Sequence, residues 1–298
     1  MKTIVALAKK IGPTGVPVLI AGETGAGKEV VAELIHAFSP RHGQRMVCVN
    51  CAEFSEDIME SELFGSTKGA FTGSNHRVGI VEDAKGSTLF LDELSEMPLH
   101  LQSKLLRFTQ DKMVRRVGSN TYTHVDVRLL AGINRDPQHC VADKNLREDL
   151  YYRLNTVTIS VPPLRDRRAD ILPLAKSYLK FFCKQYERDI PKLSVRAVKV
   201  LMSYAWPGNV RQLMNEMSRC AILCHGQVRT RDLSIVEAKP ADAEQAAARI
   251  LLRNGSLAQS NGHVASPSPV RPAPHSAEQS SGSSSGSFVG LSGEGFLD

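Results

Sequence analysis

The chain has 298 residues, of which 42% are hydrophobic and 23% are charged, and its formal net charge is +6 at pH 7. This is the composition of an ordinary globular protein, long enough for one sizeable core and a smaller domain. No apolar run approaches the roughly 20 residues of a membrane helix, and the start of the chain is too short and too charged after Leu7 for a signal peptide. These features exclude a membrane span and predict a cytoplasmic protein, whose mild basicity permits nucleic-acid contact without requiring it.

Residues 1–165 alternate apolar, strand-like runs with stretches of helical spacing, which predicts an α/β sheet with crossover helices. The predicted strands are 16–22, 45–50, 87–93, 125–134 and 155–161. The helices predicted between them are 29–38, 99–110 and 145–153. A proline pair at 162–163 ends this first domain.

Beyond this domain the pattern becomes wholly helical. The predicted helices are 171–186, 194–204 and 209–224, and they form a small domain over residues 166–235. The remainder, 236–298, is rich in serine, glycine, proline and alanine. Such a segment cannot bury enough apolar surface to fold, which predicts a mostly disordered C-terminal tail with one helix at 241–253.

Six cysteines include a CxxC pair, Cys48 and Cys51, and a second pair, Cys220 and Cys224, one helical turn apart. A zinc site would need two such pairs in loops. Here the first pair flanks a predicted strand and the second a predicted helix, so we expect buried, reduced thiols instead.

The stretch GETGAGKE follows a predicted strand and opens a predicted helix, as a phosphate-binding P-loop requires. Its backbone amides converge on the phosphates, its lysine neutralises their charge, and the helix dipole adds to both effects. The predicted nucleotide-binding residues are Gly22, Glu23, Thr24, Gly25, Ala26, Gly27, Lys28 and Glu29. Glu29 stands where a serine or threonine usually ligates Mg2+, so either this acid holds the metal, directly or through water, or other groups do.

A second motif, STLFLDE at 87–93, is an apolar strand that ends in two acids. In a parallel sheet these acids lie at the carboxyl edge, beside the P-loop. Asp92 suits Mg2+ coordination, and Glu93 suits polarising a water that attacks the γ-phosphate of ATP. The two motifs together predict Mg2+-dependent ATP hydrolysis.

Three arginines are candidates for stabilising the charge that develops on the γ-phosphate. Arg147 and Arg153 lie in LREDLYYRL near the end of the first domain, and Arg211 opens the last predicted helix. An arginine from a neighbouring subunit raises phosphoryl-transfer rates by roughly 10³–10⁵. Taken alone, each is more often a surface salt-bridge residue, and only the combined pattern favours catalysis.

In their order these motifs resemble the central AAA+ domain of bacterial sigma-54-dependent transcription activators. The resemblance runs from about residue 16 to 224 and rests on GETGAGKE, VNCAEF, ESELFGSTKGAFTGS, GSTLFLDEL, LQSKLLRF, VGSN, VDVRLLAGINRD, LREDLYYRLN, VPPLRDR and WPGNVRQL. It implies a P-loop AAA+ parallel sheet sandwiched by helices and followed by a helical lid domain. It further implies a homo-oligomeric ring, usually a hexamer, with ATP between the subunits.

The same resemblance implies roles for individual residues. Asn50 matches the residue that orients Glu93, and Asn134 matches the polar residue known as sensor I. Arg147 and Arg153 match the fingers that act on the neighbouring subunit, and Arg211 matches sensor II. Glu29 is the residue that this family carries after the P-loop lysine.

The loop KGAFTGS places a phenylalanine and a threonine between glycines, which a phosphate cradle does not need. By resemblance this loop is the contact with sigma-54 in RNA polymerase, and its residues are Gly69, Ala70, Phe71, Thr72, Gly73 and Ser74. Ser74 stands where the family has alanine, which bears on the strength of that contact.

The chain also departs from the family pattern. GIN at 132–134 replaces the commoner ATN, and Leu146 replaces a phenylalanine. The chain begins almost at the P-loop strand, which predicts a trimmed first helix and no sensory domain. No helix-turn-helix is recognisable after Cys224, so DNA contact is expected to be indirect or weak.

Three hypotheses of function remain. The first is an ATP-hydrolysing activator that remodels sigma-54 RNA polymerase, and the intact P-loop, acids and arginines favour it. The second is a non-catalytic or weakly catalytic partner subunit in rings of a full-length activator, and the third is a DNA-binding regulator. A truncated gene product would account for both bare ends of the chain.

Overall fold

The computed structural model describes residues 1–70 and 76–236. Its strands are β1 (Val18–Ala21), β2 (Val47–Asn50), β3 (Thr88–Asp92), β4 (Met113–Arg115), β5 (Tyr122–His124), β6 (Arg128–Ile133), β7 (Thr158–Ser160), β8 (Lys192–Leu193) and β9 (Gln227–Val228). Five of them form one parallel sheet in the order β2-β3-β6-β1-β7. These five are the predicted strands, each confirmed but shorter than predicted.

The three central strands, β1, β3 and β6, are buried on both faces of the sheet, which explains their nearly continuous apolar sequences. Side chains alternate between the faces. Val18 and Ile20 pack with the core on one face, whereas Leu19 packs with the core on the other. The sheet therefore lies between two layers of helices, as the predicted fold class requires.

The helices of the described residues are α1 (Lys2–Ile11), α2 (Lys28–Ala37), α3 (Glu56–Phe64), α4 (Ile80–Asp83), α5 (Leu99–Asp111), α6 (Pro137–Ala142), α7 (Glu148–Leu154), α8 (Arg168–Gln185), α9 (Val195–Ser203) and α10 (Asn209–Leu223). The six predicted helices are confirmed as α2, α5, α7, α8, α9 and α10, with small shifts at their ends. Helices α3, α4 and α6 and the β4–β5 hairpin have no counterpart among the predicted elements.

A ten-residue helix, α1, precedes β1 and has no counterpart among the predicted elements. Ile4, Ala8 and Ile11 recur at helical spacing and are the buried residues of this helix. The buried guanidinium of Arg128, on β6, donates to the carbonyl oxygens of Ile11 at 3.0 Å and Gly12 at 2.6 Å. Burial lowers the pKa of Arg128 to about 10. This side chain ties the end of α1 to the sheet.

The helical domain has a core of its own, built from α8, α9 and α10. Its largest member is Trp206, which is fully buried and donates from its indole nitrogen to the Leu201 carbonyl at 2.9 Å. The first turn of α10 reaches the P-loop, since the Val210 amide donates to the Gly25 carbonyl at 3.0 Å. The lid thus contacts the predicted nucleotide site.

The six cysteines match the predicted buried thiols only in part. Five cysteines are buried free thiols, but Cys48 is exposed because it lies on β2, at the edge of the sheet. The prediction of buried thiols is therefore wrong for Cys48.

The predicted tail from residue 237 and its helix at 241–253 lie outside the described residues, as does the centre of the GAFTGS loop, 71–75. Within the part of the chain that is described, no helix is long and apolar enough to cross a membrane.

Candidate active site

The carboxyl ends of the parallel strands bring the predicted site residues to one edge of the sheet. The P-loop follows β1, Asn50 ends β2 and pairs in register with Asp92 at the end of β3, and Asn134 follows β6. Ligands of open α/β sheets bind outside this edge, where crossovers leave in opposite directions. The predicted nucleotide residues therefore share one location.

The P-loop adopts a conformation that needs glycine at two positions. Gly25 and Gly27 have φ angles of +75° and +100°, in the left-handed region. A Cβ on Gly25 would also stand 2.6 Å from the Gly208 carbonyl oxygen of the lid. Gly27 is the N-cap of α2, so the loop runs directly into the N-terminus of a helix. The backbone amides there have no partners within the helix. Such a loop forms an anion cradle.

Lys28 is the buried cation of this cradle. Its ammonium donates to the Gly22 carbonyl at 3.2 Å and lies 3.7 Å from the Asp92 carboxylate. A buried charge needs such partners to offset its desolvation. Lys28 is therefore held between the P-loop and β3, where phosphate oxygens would meet it.

The two acids occupy different environments. Asp92 accepts a hydrogen bond from the Glu93 amide at 2.9 Å. It also lies against β6 so closely that a Cβ on Gly132 would stand 2.2 Å from its carboxylate, so glycine at this position leaves room for it. Glu93 has a left-handed φ of +54°, which is strained for a residue with a side chain. Burial, and then the charge of Asp92, raise the pKa of Glu93.

The two asparagines differ in their hydrogen bonding. The Asn50 side-chain oxygen accepts from the Ala52 amide at 3.0 Å and caps the turn that follows β2. The Asn134 side-chain oxygen is buried and has no hydrogen-bond partner among the described residues. An unsatisfied buried polar atom at this edge fits a site that is completed by a bound ligand or water.

The three arginines are divided between two locations. Arg211, in the first turn of α10, lies beside the P-loop of its own chain: a Cβ on Gly25 would stand 3.0 Å from the Arg211 Cβ. Arg147 is exposed at the N-cap of α7 and forms a two-pronged ion pair with Asp149, at 3.0 and 2.7 Å. Arg153 donates to the Thr109 carbonyl at 3.0 Å. In the described part of the chain, neither Arg147 nor Arg153 contacts its own P-loop.

A polar latch between the P-loop and the lid has no counterpart in the sequence analysis. The wholly buried Asn209 donates to the Glu23 carboxylate at 3.0 Å and to the Thr24 carbonyl at 3.2 Å, and it accepts from the Leu164 amide at 2.8 Å. Arg165 donates to Glu23 at 2.9 Å, and this hydrogen bond is the main cause that lowers the Glu23 pKa. Glu23 therefore faces the lid.

A pocket beside the P-loop was also missed. Its apolar walls are formed by Val30 of α2, by Leu174 and Tyr178 of α8, and by Val210 of α10. The same wall carries the Arg167 Nε and Asp170 Oδ2 atoms, buried and without hydrogen-bond partners among the described residues. An apolar slot with a few polar groups suits a flat nucleotide base. Its residues are scattered along the chain, so no local motif marks them.

The base of the GAFTGS loop is described although its centre is not. Ser66 bridges to Arg77 across the loop and to Val117 near the start of the β4–β5 hairpin turn. Gly69 has a left-handed φ of +84°, and a Cβ on Gly118 would stand 2.7 Å from the Ala70 Cβ. The loop therefore begins packed against the hairpin turn, while Phe71, Thr72, Gly73 and Ser74 lie outside the described residues.

Fold and site together define the chain as an AAA+ P-loop domain with a helical lid. Comparison with protein families identifies it further. The model of the family described as the sigma-54 interaction domain matches residues 1–160, and that of an AAA+ ATPase lid domain matches residues 165–249. The chain belongs to the sigma-54 interaction domain family.

Similar proteins are transcriptional regulators. The chain is 45% identical over 225 residues to the alginate biosynthesis transcriptional regulatory protein AlgB of Pseudomonas putida, covering 75% of this chain and 50% of that protein. It is 48% identical over 217 residues to the regulatory protein LuxO of Vibrio cholerae, covering 72% of this chain and 48% of that one. The chain thus spans about half the length of the curated relatives it matches.

Solved structures agree with the fold. NtrX from Brucella abortus in complex with ADP matches with a TM-score of 0.75 and 34% identity, over 86% of this chain and 58% of that one. NtrX in complex with ATP matches with a TM-score of 0.73 and 34% identity, over 88% of this chain and 62% of that one.

Proposed function

We propose that the chain binds and hydrolyses ATP with Mg2+ at sites shared between the subunits of a homo-oligomeric ring, a hexamer in the family pattern. We further propose that hydrolysis drives remodelling of sigma-54 RNA polymerase in the cytoplasm and so regulates transcription initiation. The observation that carries the proposal is the convergence of Lys28, Asp92, Glu93 and the unsatisfied Asn134 at one edge of the sheet.

Binding follows from the P-loop and the neighbouring pocket. The loop amides and Lys28 hold the phosphates, and the slot lined by Leu174, Tyr178 and Val210 takes the base. Glu23 and Thr24 hold the loop to the lid through Asn209. The structures of NtrX in complex with ADP and with ATP support nucleotide binding by a chain of this fold.

Hydrolysis requires an acid to hold a metal and an acid to activate water. Asp92 would hold Mg2+, which when bound neutralises phosphate charge. The Glu29 carboxylate accepts a hydrogen bond from the Cys48 thiol on β2, so Glu29 would reach the metal only through water. Glu93 accepts the proton of the attacking water, because its raised pKa makes it a stronger base than an ordinary carboxylate. Asn50 keeps its amide NH2 group as a donor that can orient Glu93, and Asn134 accepts from the water or its neighbours.

Transition-state charge is stabilised from two sides. Arg211 acts on the nucleotide of its own chain, since it lies beside Gly25. Arg147 and Arg153 act on the nucleotide of the adjacent subunit, since their described contacts are elsewhere. A ring is the assembly in which every subunit both donates and receives these arginines.

The ring acts on sigma-54 through a contact formed by Phe71 and Thr72. The family and the KGAFTGS sequence support this part of the proposal. Gly69 and Gly73 permit the loop to change position with the state of the γ-phosphate, which converts a local change of charge into movement. DNA contact is expected to be indirect or weak.

The test compares sigma-54 capture with ATP hydrolysis. Phe71→Ala and Thr72→Ala should hydrolyse ATP at near wild-type rates but lose the complex with sigma-54 that forms with a transition-state analogue of ATP. Phe181→Ala, which removes an exposed phenylalanine from the lid, is the matched control and should retain both properties. Loss of ATPase activity in step with the complex would show that the loop is structural and would contradict the proposed contact.

A further inference from the structure

Gln102 is a fully buried polar side chain in the first turn of α5. Its amide nitrogen donates to the carbonyl oxygens of Met97 and Asn145, each at 2.8 Å. Its amide oxygen accepts from the Arg147 backbone N–H at 2.9 Å. Both donor hydrogens and the acceptor are therefore used, as a buried amide requires.

These hydrogen bonds connect two parts of the site. Met97 ends the short 3-10 turn, Leu94–Glu96, that directly follows Glu93. Asn145 and Arg147 belong to the segment that opens α7, with Arg147 as its N-cap. One side chain therefore joins the segment behind the water-activating acid to the backbone of an arginine that acts on another subunit.

Only glutamine has the groups that this position needs. Two carbonyl oxygens require two donors and the Arg147 amide requires an acceptor, at the length of a glutamine side chain. Glutamate would place a carboxylate against two carbonyl oxygens, and an apolar side chain would leave all three backbone groups unsatisfied. The hydrogen-bonding groups at this position therefore require a side chain that connects the three backbone groups, and not only one that fills the space.

The Arg147 side chain itself is exposed and paired only with Asp149 in the described chain, so it can turn toward a neighbour. The position of the Arg147 backbone determines which atoms its guanidinium can reach. That backbone lies at the N-cap of α7, at the end of the helix where backbone amides lack partners within the helix. Gln102 supplies the partner of the Arg147 amide.

We infer that Gln102 is a positioning residue: it fixes the Arg147 backbone for its action on the nucleotide of the adjacent subunit. The inference rests on the proposed function, in which Arg147 acts between subunits. A misplacement of about 1 Å can cost about 100-fold in rate. We therefore expect Gln102→Met to lower kcat by about 10- to 100-fold, with KM for ATP changed less than about twofold, since ground-state binding is not affected.

The fold should survive this change because α5 and α7 also pack through buried apolar residues, among them Leu105 and Leu154. Gln110→Met, an exposed position on the same helix, is the matched control and should leave kcat unchanged. Thermal unfolding followed by circular dichroism reports folding of each variant. Gln102→Asn, which keeps the amide groups on a shorter side chain that cannot reach all three partners, is the second variant if Gln102→Met does not fold.

Subunit mixing separates the positioning role from a general defect. Lys28→Ala subunits lack a nucleotide site but keep the arginine, whereas Arg147→Ala subunits keep the site but lack the arginine. Mixing these two should restore turnover and serves as the reference. Gln102→Met subunits should regain turnover with Lys28→Ala subunits, which supply a well-placed arginine, and should regain none with Arg147→Ala subunits.

The outcomes are distinct. If the reference mixture stays inactive, the shared site fails, and the inference fails with it. If the reference mixture is active but Arg147→Ala subunits rescue Gln102→Met, or Lys28→Ala subunits do not, then Gln102 does not position Arg147, while the shared site stands.

Discussion

At the scale of single residues, Glu93 combines a strained backbone with a partly buried carboxyl group. Its backbone is left-handed, with a φ of +54°, and its carboxyl group is partly desolvated beside Asp92. Strained backbone of this kind persists where the surrounding structure holds it, and it clusters at functional sites. The neighbouring strand explains the position of Asp92, since Gly132 leaves room for its carboxylate.

The pH dependence of hydrolysis should report the Glu93 pKa. Burial first, and the charge of Asp92 second, raise this pKa above its ordinary value of 4.5. A general base works deprotonated, so kcat should fall as the pH falls through the raised pKa. This acidic limb of the pH profile should lie at higher pH than the limb that an ordinary glutamate would give. Glu96→Gln removes a charge that also raises the Glu93 pKa, and it should move this acidic limb to lower pH.

The control for this profile is Glu187→Gln on the lid, which should leave the limb in place. An acidic limb at the pKa of an unperturbed carboxylate, unmoved by Glu96→Gln, would show that Glu93 is not the group that titrates.

At the scale of elements, the lid is tied to the P-loop by the latch of Asn209, Glu23 and Arg165. Asn209 has a left-handed φ of +51°, which asparagine tolerates better than most residues with a side chain. Its side chain accepts from the Leu164 amide and donates to the Thr24 carbonyl in the predicted phosphate-binding loop. We therefore expect the latch to couple nucleotide binding to the position of the lid.

Asn209→Ala should weaken this coupling. The change leaves buried polar groups unsatisfied, which costs about 1–3 kcal/mol, and we expect a lower unfolding midpoint of the lid and a higher KM for ATP. Trp206 fluorescence follows the lid, and steady-state kinetics give KM. Asn215→Ala, at an exposed position of the same helix, is the control, and equal effects of the two variants would contradict the latch.

The elements also show what could be predicted from the sequence. Strands β1, β3 and β6 were predictable because burial on both faces demands continuous apolar runs. The P-loop and the two acids were predictable because their chemistry requires a local order of residues. The Asn209–Glu23 hydrogen bond joins residues 186 positions apart, and no local pattern marks such a pair.

The same limit applies to Gln102 and to the base pocket. Gln102 lies in a helix that was correctly predicted, but its three partners come from two other segments. Helix α1 was missed for a different reason. Its ten residues carry three lysines around a narrow apolar face, so the amphipathic pattern is short.

At the scale of the whole molecule, the proposed ring depends on the two arginines of α7 and its N-cap. Arg147 and Arg153 contact Asp149 and the Thr109 carbonyl in the described chain, and neither reaches its own P-loop there. If the sites are completed between subunits as proposed, ATPase activity per subunit should rise with protein concentration. Turnover against concentration, with particle size measured in parallel, checks this, and a dilute monomer as active as the concentrated protein would contradict shared sites.

The central claim is that ATP hydrolysis by this chain remodels sigma-54 RNA polymerase, and promoter opening tests it most directly. The measurement is the formation of open complexes by sigma-54 RNA polymerase on a sigma-54 promoter, with the chain supplied at high concentration in solution. The account predicts open complexes with ATP and Mg2+, and none with Glu93→Gln, which should bind ATP but hydrolyse it at least about 100-fold more slowly. Rapid ATP hydrolysis by the wild-type chain without any open complexes would contradict the account.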